Sequence, residues 1–170
     1  TKVLKEMNRK YTKEQYLNLV SKMKERIPNL ELSTDIIVGF PGETEEDFED
    51  TLDVVRRVNF EQVFMFIYSR RVGTPGDKME NQIPEEIKHK RFDRLKALVE
   101  SQIEKNNKEY VGTKQKVLVE GKSKNNSSML TGRTDSNKVV VFEGEETLIN
   151  KIIELEIVSE HMWYLKGKII

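Results

Sequence analysis

An α/β half followed by an all-β tail is the fold class that this sequence predicts. Three observations predict it. Apolar residues recur at helical spacing in three stretches of the first 110 residues. Two β-branched apolar runs lie between those stretches, at residues 32–40 and 62–68. After Gly112 the helical spacing gives way to short strand-like runs separated by polar turns.

The elements follow in order. Thr12-Lys13-Glu14-Gln15 reads as a capping box, and Tyr16, Leu19, Val20, Met23 and Ile27 continue it as one helical stripe that Pro28 ends. Residues 32–40 lack alternation, which predicts a strand buried on both faces, as in a parallel sheet. Pro41-Gly42 turns the chain. Thr44 caps the next helix, with acids in its first turn, Phe48, Leu52, Val55 and Val58 on its apolar stripe, and Arg56 and Arg57 near its end. Residues 62–68 repeat the buried-strand pattern. Gly73-Thr74-Pro75-Gly76 predicts a loop. A long helix then runs from Pro84 to about Tyr110, with Ile87, Arg91/Phe92, Leu95, Leu98/Val99, Gln102/Ile103 and Tyr110 on its stripe. Alternating helix and strand implies βα units around a parallel sheet. Two strands are too few for such a sheet, so further strands are expected upstream. The start at Thr1, without a methionine, fits a fragment.

In the tail, residues 116–120, 129–133, 138–143, 152–158 and 163–169 are strand candidates, with turns at 121–128, 134–137 and 143–146. Five short strands in about sixty residues predict a small OB-like barrel. The domains are therefore expected at 1–110 and 111–170.

Composition narrows the function. Lys plus Arg and Asp plus Glu balance at 29 each, so no global basic field argues for nucleic acid. The balance is blocked along the chain: residues 31–69 carry a net −8 between basic flanks. The chain has no cysteine, which excludes disulfides, thiolate metal sites and a cysteine nucleophile within it. Its two histidines, His89 and His161, are far apart and suggest no metal site. No apolar run approaches a membrane span.

Three motifs could carry chemistry. In Asp35-Ile36-Ile37-Val38-Gly39-Phe40-Pro41-Gly42-Glu43-Thr44 a strand ends in glycines and feeds a helix N-terminus, where a ligand can approach the backbone and free amides favour an anion. A plain strand–helix turn needing positive φ explains the same residues. In Tyr68-Ser69-Arg70-Arg71-Val72-Gly73-Thr74-Pro75, two arginines just past a strand end could grip a phosphate or carboxylate, or simply be solvated. In Gly132-Arg133-Thr134-Asp135-Ser136-Asn137-Lys138, three polar side chains of a barrel hairpin could touch phosphate and base edges, and a purely structural hairpin fits equally.

Together with Leu4-Lys5-Glu6-Met7-Asn8-Arg9-Lys10-Tyr11-Thr12, these motifs resemble the radical-SAM tRNA methylthiotransferases in order and spacing, and the last resembles their TRAM domain. The resemblance covers essentially the whole chain. It implies the last two strands of a partial (β/α) radical-SAM barrel, residues 1–110, followed by TRAM, residues 111–170. It implies S-adenosylmethionine and two 4Fe-4S clusters, with every cysteine ligand upstream. It also implies an electron donor, a tRNA anticodon stem-loop as partner, and a cytoplasmic enzyme that methylthiolates carbon 2 of isopentenylated adenosine. This chain alone would be inactive. Carried over residue by residue, Asp35, Ile37, Gly39, Gly42 and Glu43 fall in the segment lying along the adenine. Arg9, after a preceding strand, would reach the methionyl or ribose end. Arg70 and Arg71 fall at the substrate side. Arg133, Asn137 and Lys138 would grip the stem-loop. Gly76-Asp77 departs from the family's Ala-Ala, Arg70 is this sequence's own addition, and Asn150 stands where a glycine is usual. Asparagine tolerates positive φ next best, so that turn is expected to survive. The rival readings are a sibling acting on threonylcarbamoyl-adenosine or a ribosomal protein, and a stand-alone RNA-binding module.

Overall fold

The computed structural model describes residues 2–124 and 126–170. The chain divides into two compact units, residues 1–102 and 103–170.

In the first unit the order is α1 (Lys2–Glu6), α2 (Lys13–Arg26), β1 (Ser33–Val38), α3 (Glu45–Val58), β2 (Gln62–Ile67), α4 (Pro75–Lys78) and most of α5 (Glu85–Tyr110). Both expected capping boxes form. Thr12 and Thr44 each accept from the main-chain N–H three residues on, and Gln15 and Asp47 reach back. Lys13 Nζ bridges Asp50 and Asp53 at 2.7 Å each, which ties α2 to α3. β1 and β2 are parallel, with Asp35 beside Phe64 and Ile37 beside Phe66. Phe48, Leu52, Val55 and Val58 of α3, Leu95 and Val99 of α5, and Val38 and Val63 of the sheet are buried.

Three expectations need correction here. The strands are not buried on both faces. Ile37, Phe64 and Phe66 remain 39%, 47% and 50% exposed. An apolar run without polar contrast marks a strand as apolar, but not which face its neighbours cover. Residues 73–76 are not wholly loop, because Thr74 caps the short α4 and Pro75 opens it. The residues ahead of Arg9 form α1 rather than a strand, closed at Asn8 with φ 58°.

The second unit is a closed barrel of β3 (Lys114–Lys122), β4 (Met129–Thr134), β5 (Val139–Glu143), β6 (Ile152–Glu160) and β7 (Leu165–Ile169), in the cyclic order β3-β4-β5-β7-β6. All pairs are antiparallel except β5–β7. Every second residue points inward, and Val117, Val119, Leu130, Val140, Phe142, Leu155, Ile157 and Leu165 fill the interior. Each such side chain contributes roughly 1.5–3 kcal/mol of transfer free energy. Tyr110, at the end of α5, packs against this core. A 3₁₀ turn, Glu146–Leu148, precedes Asn150, whose φ of 65° is the left-handed geometry expected of it.

Candidate functional site

The first candidate site lies around the end of β1. Val38 O accepts from Tyr68 N, and Leu32 O accepts from Glu61 N. Even-numbered residues of β1 therefore turn their main-chain groups toward β2. By the alternation of a strand, residues 33, 35 and 37 turn theirs to the opposite edge. Among the described residues no strand pairs with that edge. The same residues carry their side chains on the exposed face, beside Phe64 and Phe66. Asp35 and Ile37 thus stand together on an open edge and an open apolar face.

The glycines beyond have other work. Gly39 and Gly42 both hold φ at 78°. A Cβ on Gly39 would lie 2.5 Å from Lys88 Cγ, and one on Gly42 would lie 2.3 Å from Asn81 Nδ2. Gly39 N–H donates to Glu43 Oε1 at 3.0 Å, and Gly42 N–H to Asn81 O at 2.9 Å. At the start of α3, Thr44 N–H and Asp47 N–H are taken by the capping box. The expectation of glycines kept clear for a ligand, with free amides for an anion, is corrected. Protein atoms occupy those positions, and acids fill the first turn of α3.

Glu43 is buried and paired. Its Oε1 accepts from Arg91 Nη1 at 2.8 Å, and the same nitrogen donates to Glu43 O at 3.0 Å. Burial pushes its carboxyl above the ordinary range, against the Gly39 N–H and Arg91. Arg91 also meets Glu45 Oε2 at 3.4 Å, and Arg94 bonds Glu45 and Glu49. The Arg94 hydrogen bond holds Glu45 below its usual value. Lys88 is buried beside this group. Its Nζ donates to Glu85 Oε1 at 2.8 Å and to Tyr68 O at 3.3 Å, and lies 5.6 Å from the Tyr68 ring centre. Glu43 acts here as the brace of the turn.

Arg9 is exposed and follows α1. Arg70 is engaged: Nε donates to Asp77 Oδ1 at 3.0 Å and Nη2 to Asp77 O at 2.8 Å. Arg70 and Asp77 are therefore partners of one another. The preceding glycine, Gly76, is buried where a Cβ would come within 2.7 Å of Tyr68 Oη. Arg71 is exposed, and its carbonyl accepts from the Thr74 N–H and hydroxyl.

The second candidate site is the β4–β5 hairpin. Gly132 is required by close approach, since a Cβ there would sit 2.4 Å from Leu118 O on β3. Thr134 Oγ1 accepts from Lys138 N at 3.0 Å, and Asn137 takes φ 67° to complete the turn. Arg133 Nη1 donates to Asn137 Oδ1 at 3.0 Å and to its carbonyl at 3.2 Å, and Nε lies 3.3 Å from Glu120. Lys138 Nζ donates to Asn107 Oδ1 at 2.5 Å. The hairpin brings Arg133 and Asn137 together, with Asn137 serving Arg133, while the Lys138 ammonium turns to Asn107 and the Tyr110 ring.

Sequence reasoning missed Phe64, Phe66, Lys88 and Asn107. The aromatic pair was legible as i, i+2 residues of one strand face. Lys88 and Arg91 share the buried stripe of α5 at i, i+3, which an apolar pattern search passes over. No thiolate cluster ligand is available in this chain, and among the described residues no three His, Asp or Glu side chains gather as a metal site.

Comparison with known proteins assigns both units. Residues 1–55 match the radical SAM superfamily model and residues 108–170 match the TRAM domain model. The class is thus a radical-SAM chain that carries a TRAM barrel. The chain is 54% identical over 168 residues to the tRNA-2-methylthio-N(6)-dimethylallyladenosine synthase of Clostridium beijerinckii, covering 99% of this chain and 37% of that protein. It is 52% identical over 170 residues to the synthase of that name from Acetivibrio thermocellus, covering all of this chain and 35% of that protein. The chain spans a little over a third of the length of these curated relatives, and over that span it is more than half identical to them.

Proposed function

We propose that this chain is the C-terminal part of a cytoplasmic radical-SAM enzyme that methylthiolates carbon 2 of dimethylallyl-adenosine in tRNA. The observation that carries the reading is identity above 50% over a span that takes in both units. On this reading the thiolate ligands of the two expected 4Fe-4S clusters belong to parts of the enzyme beyond this cysteine-free chain, and no step is assigned to them here.

The open edge of β1 suits S-adenosylmethionine in kind. Adenine needs a flat apolar floor and one main-chain donor–acceptor edge, and Ile37, Phe64 and Phe66 supply the floor while Asp35 and Ile37 supply the edge. S-adenosylmethionine held there would supply the radical chemistry of the reaction. The residues of this chain orient its adenosine. Glu43, Arg91 and Lys88 hold the Gly39 turn in shape rather than touch the cofactor. In the TRAM barrel, Arg133 and Lys138 would hold phosphates of the anticodon stem-loop, with Asn137 aiming the Arg133 guanidinium. An electron donor and tRNA are the partners this reading requires.

The test is nucleoside mass spectrometry of tRNA from cells in which the gene is disrupted. The 2-methylthio group should vanish from dimethylallyl-adenosine and return only with the whole gene. Its persistence there, with loss from threonylcarbamoyl-adenosine, would assign the chain to the sibling enzyme. In RNA titrations Arg133→Ala and Lys138→Ala should each weaken stem-loop binding by about 1 kcal/mol and lower the salt slope by roughly one.

A further inference from the structure

The turn from β6 to β7 puts aromatic rings at the surface of the second unit. Trp163 is 66% exposed, and Tyr164 is exposed beside it. His161 stacks on Tyr164 with ring centres 4.3 Å apart and planes 17° apart. An indole left this far in water forgoes stabilisation that burial would give. The turn is nevertheless held firmly. His161 N–H donates to Tyr164 O at 2.9 Å. The Asn107 side chain, 2% exposed with its residue, donates through Nδ2 to His161 O at 2.8 Å and to Met162 O at 3.3 Å. Its Oδ1 accepts from Lys138. One buried amide therefore joins the aromatic turn to the cationic end of the β4–β5 hairpin. Tyr110 joins the same assembly, bonded to Ser136 at 3.0 Å with Lys138 Nζ 5.8 Å from its ring centre.

We infer that the β6–β7 turn is a second RNA-contact element, in which Trp163 stacks on one unpaired base while Lys138 and Arg133 hold neighbouring phosphates. The inference rests on the RNA reading of the TRAM hairpin. A polyanion with exposed bases is the occupant that matches an exposed indole on a turn whose backbone is tied through Asn107 to a cation. Phosphate contacts alone would leave the indole unexplained, and the stacked interior of a paired duplex offers no free base face. Stacking tolerates any base, so this element adds affinity for single-stranded positions rather than a sequence code. Asn107 is a positioning residue that ties the backbone of the aromatic turn to the Lys138 ammonium.

Trp163 is the sole tryptophan of the chain, so its emission reports on this turn alone. The chain is titrated with an anticodon-type RNA hairpin and, separately, with a blunt duplex of the same stem. The hairpin should quench the emission and the duplex should not. By anisotropy of labelled hairpin, Trp163→Ala should bind about tenfold more weakly with the salt slope unchanged, and Trp163→Phe should recover most of the loss. Lys138→Ala should instead lower the slope by about one. Asn107→Ala should reduce both quenching and affinity. If Trp163→Ala binds like wild type while Lys138→Ala is weakened, stacking is refuted and the hairpin grip stands. If wild type binds neither RNA, both readings fall. Emission that shifts with protein concentration and not with RNA would give the turn to a second copy of the chain and overturn the inference.

Discussion

Gly132 shows how one missing side chain sets the spacing of a barrel. Its strand runs so close to β3 that an added methyl would meet both Leu118 O and, at 2.6 Å, Val117 Cγ1. Backbone cannot yield as a flexible side chain does. Gly132→Ala should destabilise the barrel by about 1–3 kcal/mol, the usual range for overpacking, seen as a lower urea midpoint of Trp163 emission. The glycine was legible as part of a motif, but its cause was not, because the clash is with a strand distant in sequence. Gly39 gives the same lesson. The sequence suggested backbone bared for a ligand. The structure fills that space with the stem of Lys88, a residue whose charge argues for the surface while its methylenes pack inside. Asn150 and Asn137 were more readable, since positive φ at asparagine is a local preference.

At the scale of elements, local signals carried furthest. The two threonine caps, Pro28 and Gly112 bounded α2, α3 and α5 to within a residue or two, because caps are decided by neighbours in sequence. The short α1 and α4 escaped, since five and four residues leave no period to read. Between α5 and the end of β1 the decisive contact is electrostatic. Burial raises the Glu43 carboxyl above its ordinary value of 4.5, so between 4.5 and that raised value the folded chain binds more proton at Glu43 than the unfolded chain does. The Glu43 contribution to stability therefore grows as pH falls from that raised value toward 4.5, and is smallest near neutrality. Urea midpoints of wild type relative to Glu43→Gln should move in favour of wild type on acidification through that window. A difference independent of pH would show that Glu43 titrates alike in both states.

For the whole molecule, the alternation of period 3.6 and period 2 patterns announced an α/β half and a β tail, and the barrel of five strands formed as expected. What composition could not convey was the open face of β1 and β2, because apolar residues look alike whether a neighbour covers them or not. Phe66→Ser and Phe64→Ser should cost little stability, within about 1 kcal/mol for half-exposed positions, while removing binding of an apolar dye and reducing self-association. Dye titration with light scattering checks this. Unchanged dye binding in both variants would locate the sticky surface elsewhere.

The cyclic order of the barrel also dictates when it can exist. β3 pairs with β6, and β5 pairs with β7, whose last residue is Ile169. Along a chain emerging from the ribosome, β3, β4 and β5 can form a meander at once, yet it stays an open ribbon with two raw margins until the final strand clears the exit tunnel. Closure of the barrel thus waits on β7, the strand that joins β5 to β6. A nascent chain stalled before Leu165 would present the β5 and β6 margins together, and quality control would meet it as an unfinished sheet.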